Sequence, residues 1–285
     1  MTSRPVENPL LPAAPFAIAK GSSLATLLSS EAVRCLAHNI AVVHRRFDGV
    51  AFAKHALRGL SSPGIMQRGE KLAVALRQFL PANYGVAIEI LLSSLTPPLE
   101  RTEGNGLAVF FYLPHTCFVA RYGLDPEHND GHDPFDVSMR AQYELTRRFS
   151  AEFSIRPFLI RHQDRTLSRL MAWAHDPDPH VRRLCSEGSR PRLPWGKRIP
   201  AFVRDPRPCL PILEALKDDP CLYVRRSVAN HLGDIAKDHP DRVFTICRRW
   251  LRGSNDDLRW VIRHALRYPA RQGNPVALKL RAAAM

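Results

Sequence analysis

One pattern recurs three times in the second half of the chain, and it leaves few folds open. Asp176-Pro177-Asp178-Pro179-His180-Val181-Arg182-Arg183, Asp218-Asp219-Pro220-Cys221-Leu222-Tyr223-Val224-Arg225-Arg226 and Asn255-Asp256-Asp257-Leu258-Arg259-Trp260-Val261-Ile262-Arg263 each join a polar turn to a segment carrying Val and Arg. The valines stand 43 and then 37 residues apart. A period of roughly 40 residues built from helix pairs is the signature of a HEAT-type solenoid, in which each repeat buries its apolar face on its neighbours. Equivalent helices then lie side by side. The arginines after each turn are therefore expected on one concave surface, a curved basic track suited to a duplex backbone.

Periodicity elsewhere agrees with an all-α fold. Apolar residues recur at three and four spacing in Leu167, Leu170, Met171 and Ala174, in Val224, Val228, Leu232 and Ile235, and in Val243, Ile246, Cys247 and Trp250. Earlier helices are expected over 24–43, from the Ser62-Pro63 start to Leu80, over 83–95 and over 134–149. No window alternates as a half-buried strand does. The reading is a loose proline-rich arm over 1–20 and a single HEAT-like-repeat domain over 21–281.

Within that domain the charge is uneven. Residues 1–150 carry 15 Lys and Arg against 13 Asp and Glu, whereas residues 151–285 carry 26 against 14, most of the cations being arginine. The near-neutral part thus runs over 21–150 and the basic part over 151–281. Arginine's planar fork suits phosphate, so an anionic polymer is the partner this balance favours over a merely solvated face. The longest apolar stretch, 106–120, contains Pro114 and His115 and falls short of the roughly 20 residues a membrane helix needs. No secretory signal pattern opens the chain, and no membrane partner is expected.

Six cysteines occur without a Cys-x-x-Cys pair, several on apolar helical stripes, which reads as reduced thiols in a cytoplasmic protein. The cluster His128-Asn129-Asp130-Gly131-His132-Asp133 lies in a polar loop and lacks a helical His-x-x-x-His setting, so neither a metal nor a cofactor is expected.

The most telling acid is Glu187, ringed by arginines and followed by Trp195 between Pro194 and Gly196. It reads either as an acid aimed at a ligand on a polyanion-binding surface or as the neutralising partner of Arg183 or Arg190. Trp195 reads as a loop contact or as core.

The string Ser186-Glu187-Gly188-Ser189-Arg190-Pro191-Arg192-Leu193-Pro194-Trp195 and the string Ala229-Asn230-His231-Leu232-Gly233-Asp234-Ile235-Ala236-Lys237-Asp238-His239-Pro240 resemble the AlkC group of HEAT-like-repeat DNA glycosylases, relatives of AlkD. The likeness extends upstream through Ala151-Glu152-Phe153-Ser154-Ile155-Arg156-Pro157 and, more weakly, to about residue 24. It implies an enzyme that hydrolyses the N-glycosidic bond of N-methylated bases, 3-methyladenine and also 3-methylcytosine, in alkylated duplex DNA without full base flipping. It implies Glu187 as the acid facing the sugar, Asp234 as a second carboxylate that holds or deprotonates water, Glu152 as a third acid by position and Trp195 as a packing surface for sugar and base. Arg182, Arg183, Arg190, Arg192, Lys197, Arg225 and Arg226 become expected phosphate contacts. Asn230 and His231 are divided between DNA contact and satisfying backbone in the stack. Some members of the group carry a C-terminal immunoglobulin-like domain; with the last residues, Arg281 to Met285, following closely on the last helical stripe, none is expected here, and a monomer working at the nucleoid is. The competing readings are a DNA-binding relative without catalysis and a protein scaffold.

Overall fold

The computed structural model describes residues 9–285, and among them every regular element is helical. Two compact units result, divided between Ser154 and Ile155. The sequence reading has one domain over 21–281. Of the arm expected over 1–20, residues 1–8 lie outside the described part. The next residues are tied down: Leu10 N–H donates to Asn39 Oδ1 at 2.9 Å, and Asn39 Nδ2 donates back to Leu10 O at 2.8 Å.

The first unit holds α1 (Ser30–Val43), α2 (Gly49–Ala56), α3 (Ile65–Phe79), α4 (Tyr84–Ser93), α5 (Leu113–Tyr122) and α6 (Phe135–Thr146). The helix expected over 24–43 is broken, because Ser29 takes an extended conformation and its side chain caps α1, leaving Leu24–Leu28 as a 3-10 turn. Pro114, which seemed to interrupt the apolar stretch, sits in the first turn of α5, where no backbone N–H is needed. Helices α3 and α5 approach closely at Gly69, where a Cβ would lie 2.8 Å from Leu113 Cγ.

The second unit holds α7 (Ile155–Arg161), α8 (Gln163–Trp173), α9 (Pro179–Gly188), α10 (Pro200–Arg204), α11 (Leu210–Leu216), α12 (Leu222–Ile235), α13 (Pro240–Leu251), α14 (Asp256–Ala265), α15 (Arg267–Arg271) and α16 (Pro275–Ala283). The three repeats are visible in it. Helices α9, α12 and α14 pack side by side, with α8, α11 and α13 as their pairing partners. Val181, Val224 and Val261, the residues that carry the period, are fully buried. Each such side chain contributes roughly 1.5–3 kcal/mol by leaving water.

The turns explain what the recurring Asp and Arg do. Arg182 donates to Asp176 O (2.9 Å) and Pro177 O (3.0 Å) in the turn before its own helix, and grips Asp219 of the next turn through Nε (2.6 Å) and Nη2 (3.1 Å). One repeat later Arg225 does the same, donating to Asp219 O (2.7 Å), Pro220 O (2.9 Å) and Asp257 Oδ1 (2.7 Å). These two arginines staple successive turns together. At the third position stands buried Ile262, and the staple ends. The expectation that the arginines after each turn line an open track is therefore corrected for Arg182 and Arg225, whose forks are spent inside the stack.

Because Asp219 receives both Arg182 and the N–H of Cys221, its removal should leave a guanidinium and a cap unsatisfied. Asp219→Asn is expected to lower the urea-unfolding free energy of the protein by about 3 kcal/mol. Asp205→Asn, at an exposed pair with Arg207, should change it far less. Equal losses in the two variants would contradict the staple.

Candidate functional site: two carboxylates on one arginine

Glu187 lies in the last turn of α9, and its residue is 5 % exposed. Its Oε1 accepts from Arg190 Nη1 at 2.6 Å and its Oε2 from Ser227 Oγ of α12 at 2.6 Å. Arg183, one turn earlier, stands at 3.7 Å from Oε1, with its guanidinium over the Tyr223 ring. Asp234, near the end of α12 and 3 % exposed, accepts from Arg190 Nε through Oδ2 at 2.8 Å and from Lys237 Nζ through Oδ1 at 2.9 Å. One buried guanidinium is thus shared by acids from two successive repeats. Burial alone would push the Glu187 carboxyl up; Arg183, Arg190 and the hydrogen bonds from Ser227 and Arg190 outweigh it and hold the group below the usual carboxylate range. Glu187 is consequently an anion at neutral pH and a poor proton donor. Burial disfavours the Arg190 cation, but Glu187 and Asp234 more than compensate, so its charge is permanent.

The segment after α9 carries Arg190 and then Trp195. Trp195 is 70 % exposed and has φ of 62°, in the left-handed region that an L side chain enters at a cost of roughly 1–2 kcal/mol. An apolar ring held outward on strained backbone is held there by something else. Arg156 of α7, wholly buried, supplies it: its guanidinium donates to Gly188 O (2.9 Å), Pro191 O (3.5 Å) and Lys197 O, gathering both ends of the loop. Gly188 permits this closeness, since a Cβ there would lie 2.5 Å from Ile155 Cγ2.

The remaining expected contacts divide sharply. His231 is fully buried, with Nδ1–H donating to Ser186 O at 2.9 Å and burial pushing it down to about 3, so it fixes α12 against α9 as a neutral ring and cannot meet DNA. Arg190 is likewise interior. Arg192 is partly exposed but engaged by both oxygens of Asp238, each at 2.7 Å. Lys197 and Arg226 are exposed and make no side-chain hydrogen bond or ion pair among the described residues. Asn230 is half-buried, its Oδ1 accepting from Arg267 and His264. Glu152 belongs to the first unit, half-buried and accepting from Ser150 Oγ at 2.8 Å.

Several residues escaped the sequence reading. Arg156 was signalled only as a charge inside the apolar run Ile155-Arg156-Pro157-Phe158-Leu159-Ile160, and Ser227 by nothing at all. Lys237 and Arg267 lay among many other cations.

The fold and site define a class: a helical-repeat protein that keeps two buried acids on a shared arginine, followed in sequence by a loop with an exposed tryptophan. No family model matches the chain. Over 93% of its length it is similar to the structure of Pseudomonas fluorescens alkylpurine DNA glycosylase AlkC bound to DNA containing an abasic site analog, at 38% identity and a TM-score of 0.79, and it spans 69% of that chain. It is also 39% identical over 216 residues, 76% of its length, to the uncharacterized protein YhaZ of Bacillus subtilis, and spans 56% of that relative, about half its length. The chain belongs to the AlkC family of the HEAT-like-repeat AlkC/AlkD group.

Two outcomes follow from the geometry. The depressed Glu187 carboxyl contributes stability that is complete above its unfolded-state value, 4.5, and is lost as pH falls through the lower folded-state value. Urea unfolding from pH 6 downwards should therefore lose stability below about pH 4.5, with a shallower loss in Glu187→Gln. Trp195→Gly should exceed Trp195→Ala in stability by about 1 kcal/mol, since only glycine enters the left-handed region freely; the reverse order would mean that the backbone there is not held as described.

Proposed function

We propose that the chain is a DNA glycosylase that hydrolyses the N-glycosidic bond of N-methylated bases in duplex DNA, with 3-methyladenine as the leading substrate and 3-methylcytosine as a second. The observation that carries this reading is the Glu187, Arg190 and Asp234 cluster at the foot of the Trp195 loop, and membership of the AlkC family supports it. No described helix is long and apolar enough to cross a membrane.

The chemistry needs what the cluster offers. Methylation at N3 makes the base a cation, so its bond to C1′ breaks with the electron pair leaving on the base, which departs neutral. The sugar becomes an oxocarbenium-like cation. Water adds to C1′ and gives up a proton. The buried centre sets two anions on one cation, with Arg183 and Lys237 as further cations at its edge; when those two turn to phosphate, the centre favours positive charge developing nearby. Glu187, unable to protonate a leaving group, serves by its field. Asp234 is the better placed acceptor for the water's proton: among the described residues its Oδ1 accepts from Lys237 alone, a side chain that is 40% exposed. Trp195 packs its face on the sugar or the cationic base, contributing about 0.5–2 kcal/mol, and because the charged base and the exposed ring meet at the surface, the lesion need not be fully flipped. Glu152 is proposed as a third acid on family resemblance. Lys197, Arg226, Arg183 and Arg192 are proposed as phosphate contacts, the last by exchanging Asp238 for phosphate.

Incubation of the pure protein with methylated duplex, followed by chromatography of released bases, tests the reading. Release of 3-methyladenine is expected from the wild type. Glu187→Gln should slow it at least ten-fold, and by about 100-fold if the field contributes the roughly 3 kcal/mol typical of one such group. Duplex affinity should persist in that variant. A wild type that binds duplex and releases nothing would leave a non-catalytic DNA-binding relative.

A further inference from the structure

The repeat register points to a second feature. Glu187, Asn230 and Arg267 each stand six residues beyond the period-marking valines Val181, Val224 and Val261. One position on three adjacent helical elements thus carries an acid, an amide and a cation. Arg267 differs from four other arginines of the second unit. Arg182, Arg190, Arg192 and Arg225 each have a carboxylate in hydrogen-bond contact. Arg267 has none among the described residues; its Nη2 donates to Asn230 Oδ1 at 2.8 Å and its Nη1 to His264 O at 3.3 Å. It is oriented by two neutral acceptors and left with its charge.

Its surroundings reinforce that charge. Exposed Arg271, one turn on, and exposed Arg226, one turn before Asn230, also make no hydrogen bond or ion pair among the described residues. Burial, then Arg190 and Arg271, disfavour the Arg267 cation, with Asp234 opposing them. His264, stacked on Trp260 at 4.8 Å between ring centroids, is pushed down to about 4 by burial and by Arg267 and Arg226, so it is neutral at pH 7. Its Nε2–H then donates to Asn230 Oδ1 at 3.2 Å. Oδ1 is taken by two donors, and the Asn230 NH2 group is unbonded among the described residues.

We propose that Arg226 and Asn230 on α12, the helix that also carries Asp234, and Arg267 and Arg271 on α15 form a seat for the phosphodiester backbone of DNA. The proposal deepens the DNA reading of the same face and rests on it. A planar guanidinium held at the right angle, a free amide donor and two mobile guanidinia match the several oxygens of adjacent phosphates, and phosphate removes the mutual repulsion of the three cations. His264 acts through Asn230 as a positioning residue.

The test is the salt dependence of binding to a fluorescein-labelled duplex containing an abasic-site analogue, between roughly 50 and 200 mM salt. Each phosphate no longer neutralised makes the slope of log affinity against log salt shallower by about 0.9. Arg267→Gln/Arg271→Gln should therefore flatten it by about 2, and Arg271→Gln alone, at an exposed position that packing does not depend on, by about 1. Arg242→Gln on α13, outside this face, should run parallel to the wild type. Parallel lines for all variants would overturn the seat, as would an Arg242 variant that flattens as much as Arg271→Gln. So would displacement of duplex by inorganic phosphate at constant ionic strength and submillimolar concentration, which would assign the cations to a free anion. Base release by the wild type is measured separately: release with unchanged slopes sinks the seat and spares the glycosylase reading, whereas flattened slopes without release do the opposite.

Discussion

The Arg190 guanidinium, held between Glu187 and Asp234, is the constraint on which the second unit depends. A buried carboxylate without a partner would take up a proton, and two of them on neighbouring helices would repel. Arg190 pairs with both in the interior, helps to keep Glu187 ionised and, being rooted in the segment that leads to Trp195, also fixes where that segment begins. Removing Arg190 would take from both buried carboxylates the partner they share, whereas removing either acid leaves Arg190 paired with the other. Its peripheral cations differ in kind from its centre: Arg183 lies against Tyr223 and Lys237 reaches in from an exposed stem. The centre is fixed and the edge is exchangeable, which is the arrangement an incoming cation requires.

The same residue type does three distinct jobs in one stack. Arg182 and Arg225 close successive turns, Arg190 neutralises acids, and Arg156 collects carbonyls beneath the Trp195 loop. Each of these is withdrawn from any ligand by its partners. A net charge counted over the unit therefore overstates the cationic surface, and the excess that remains exposed is concentrated in residues such as Lys197, Arg226 and Arg271.

What could be read beforehand follows from how local each constraint is. The repeat was legible because buried valines and capping acids must recur with the geometry of the stack. Glu187 was legible as an acid among cations, and Asp234 only through the family resemblance. Which arginines were free was not, because the partner that decides it sits about one repeat away in sequence: Asp219 for Arg182, Asp257 for Arg225, Asp238 for Arg192. The left-handed backbone at Trp195 also gave no signal, since no glycine or asparagine marks it; it is imposed by Arg156 from another helix. His231 was left between DNA contact and satisfying backbone in the stack, and it is a buried tether on Ser186 O, a distinction set by packing of α9 on α12. Within the expected arm, the anchoring of Leu10 gave no signal either, because Asn39 closes two hydrogen bonds on it from α1.

A solenoid makes division of labour along one face physically simple. Equivalent positions share backbone geometry, so changing the side chain changes the chemistry presented without changing its placement. Acid at Glu187, amide at Asn230 and cation at Arg267 convert a structural period into a gradient from negative to positive across adjacent helical elements. A ligand with a cationic group beside a polyanionic strand meets that gradient in register, whereas a uniformly anionic partner is repelled at one end and held at the other. The order of charges, rather than their sum, is what selects damaged over intact duplex on the proposed reading, and it needs no contact with the edges of the bases.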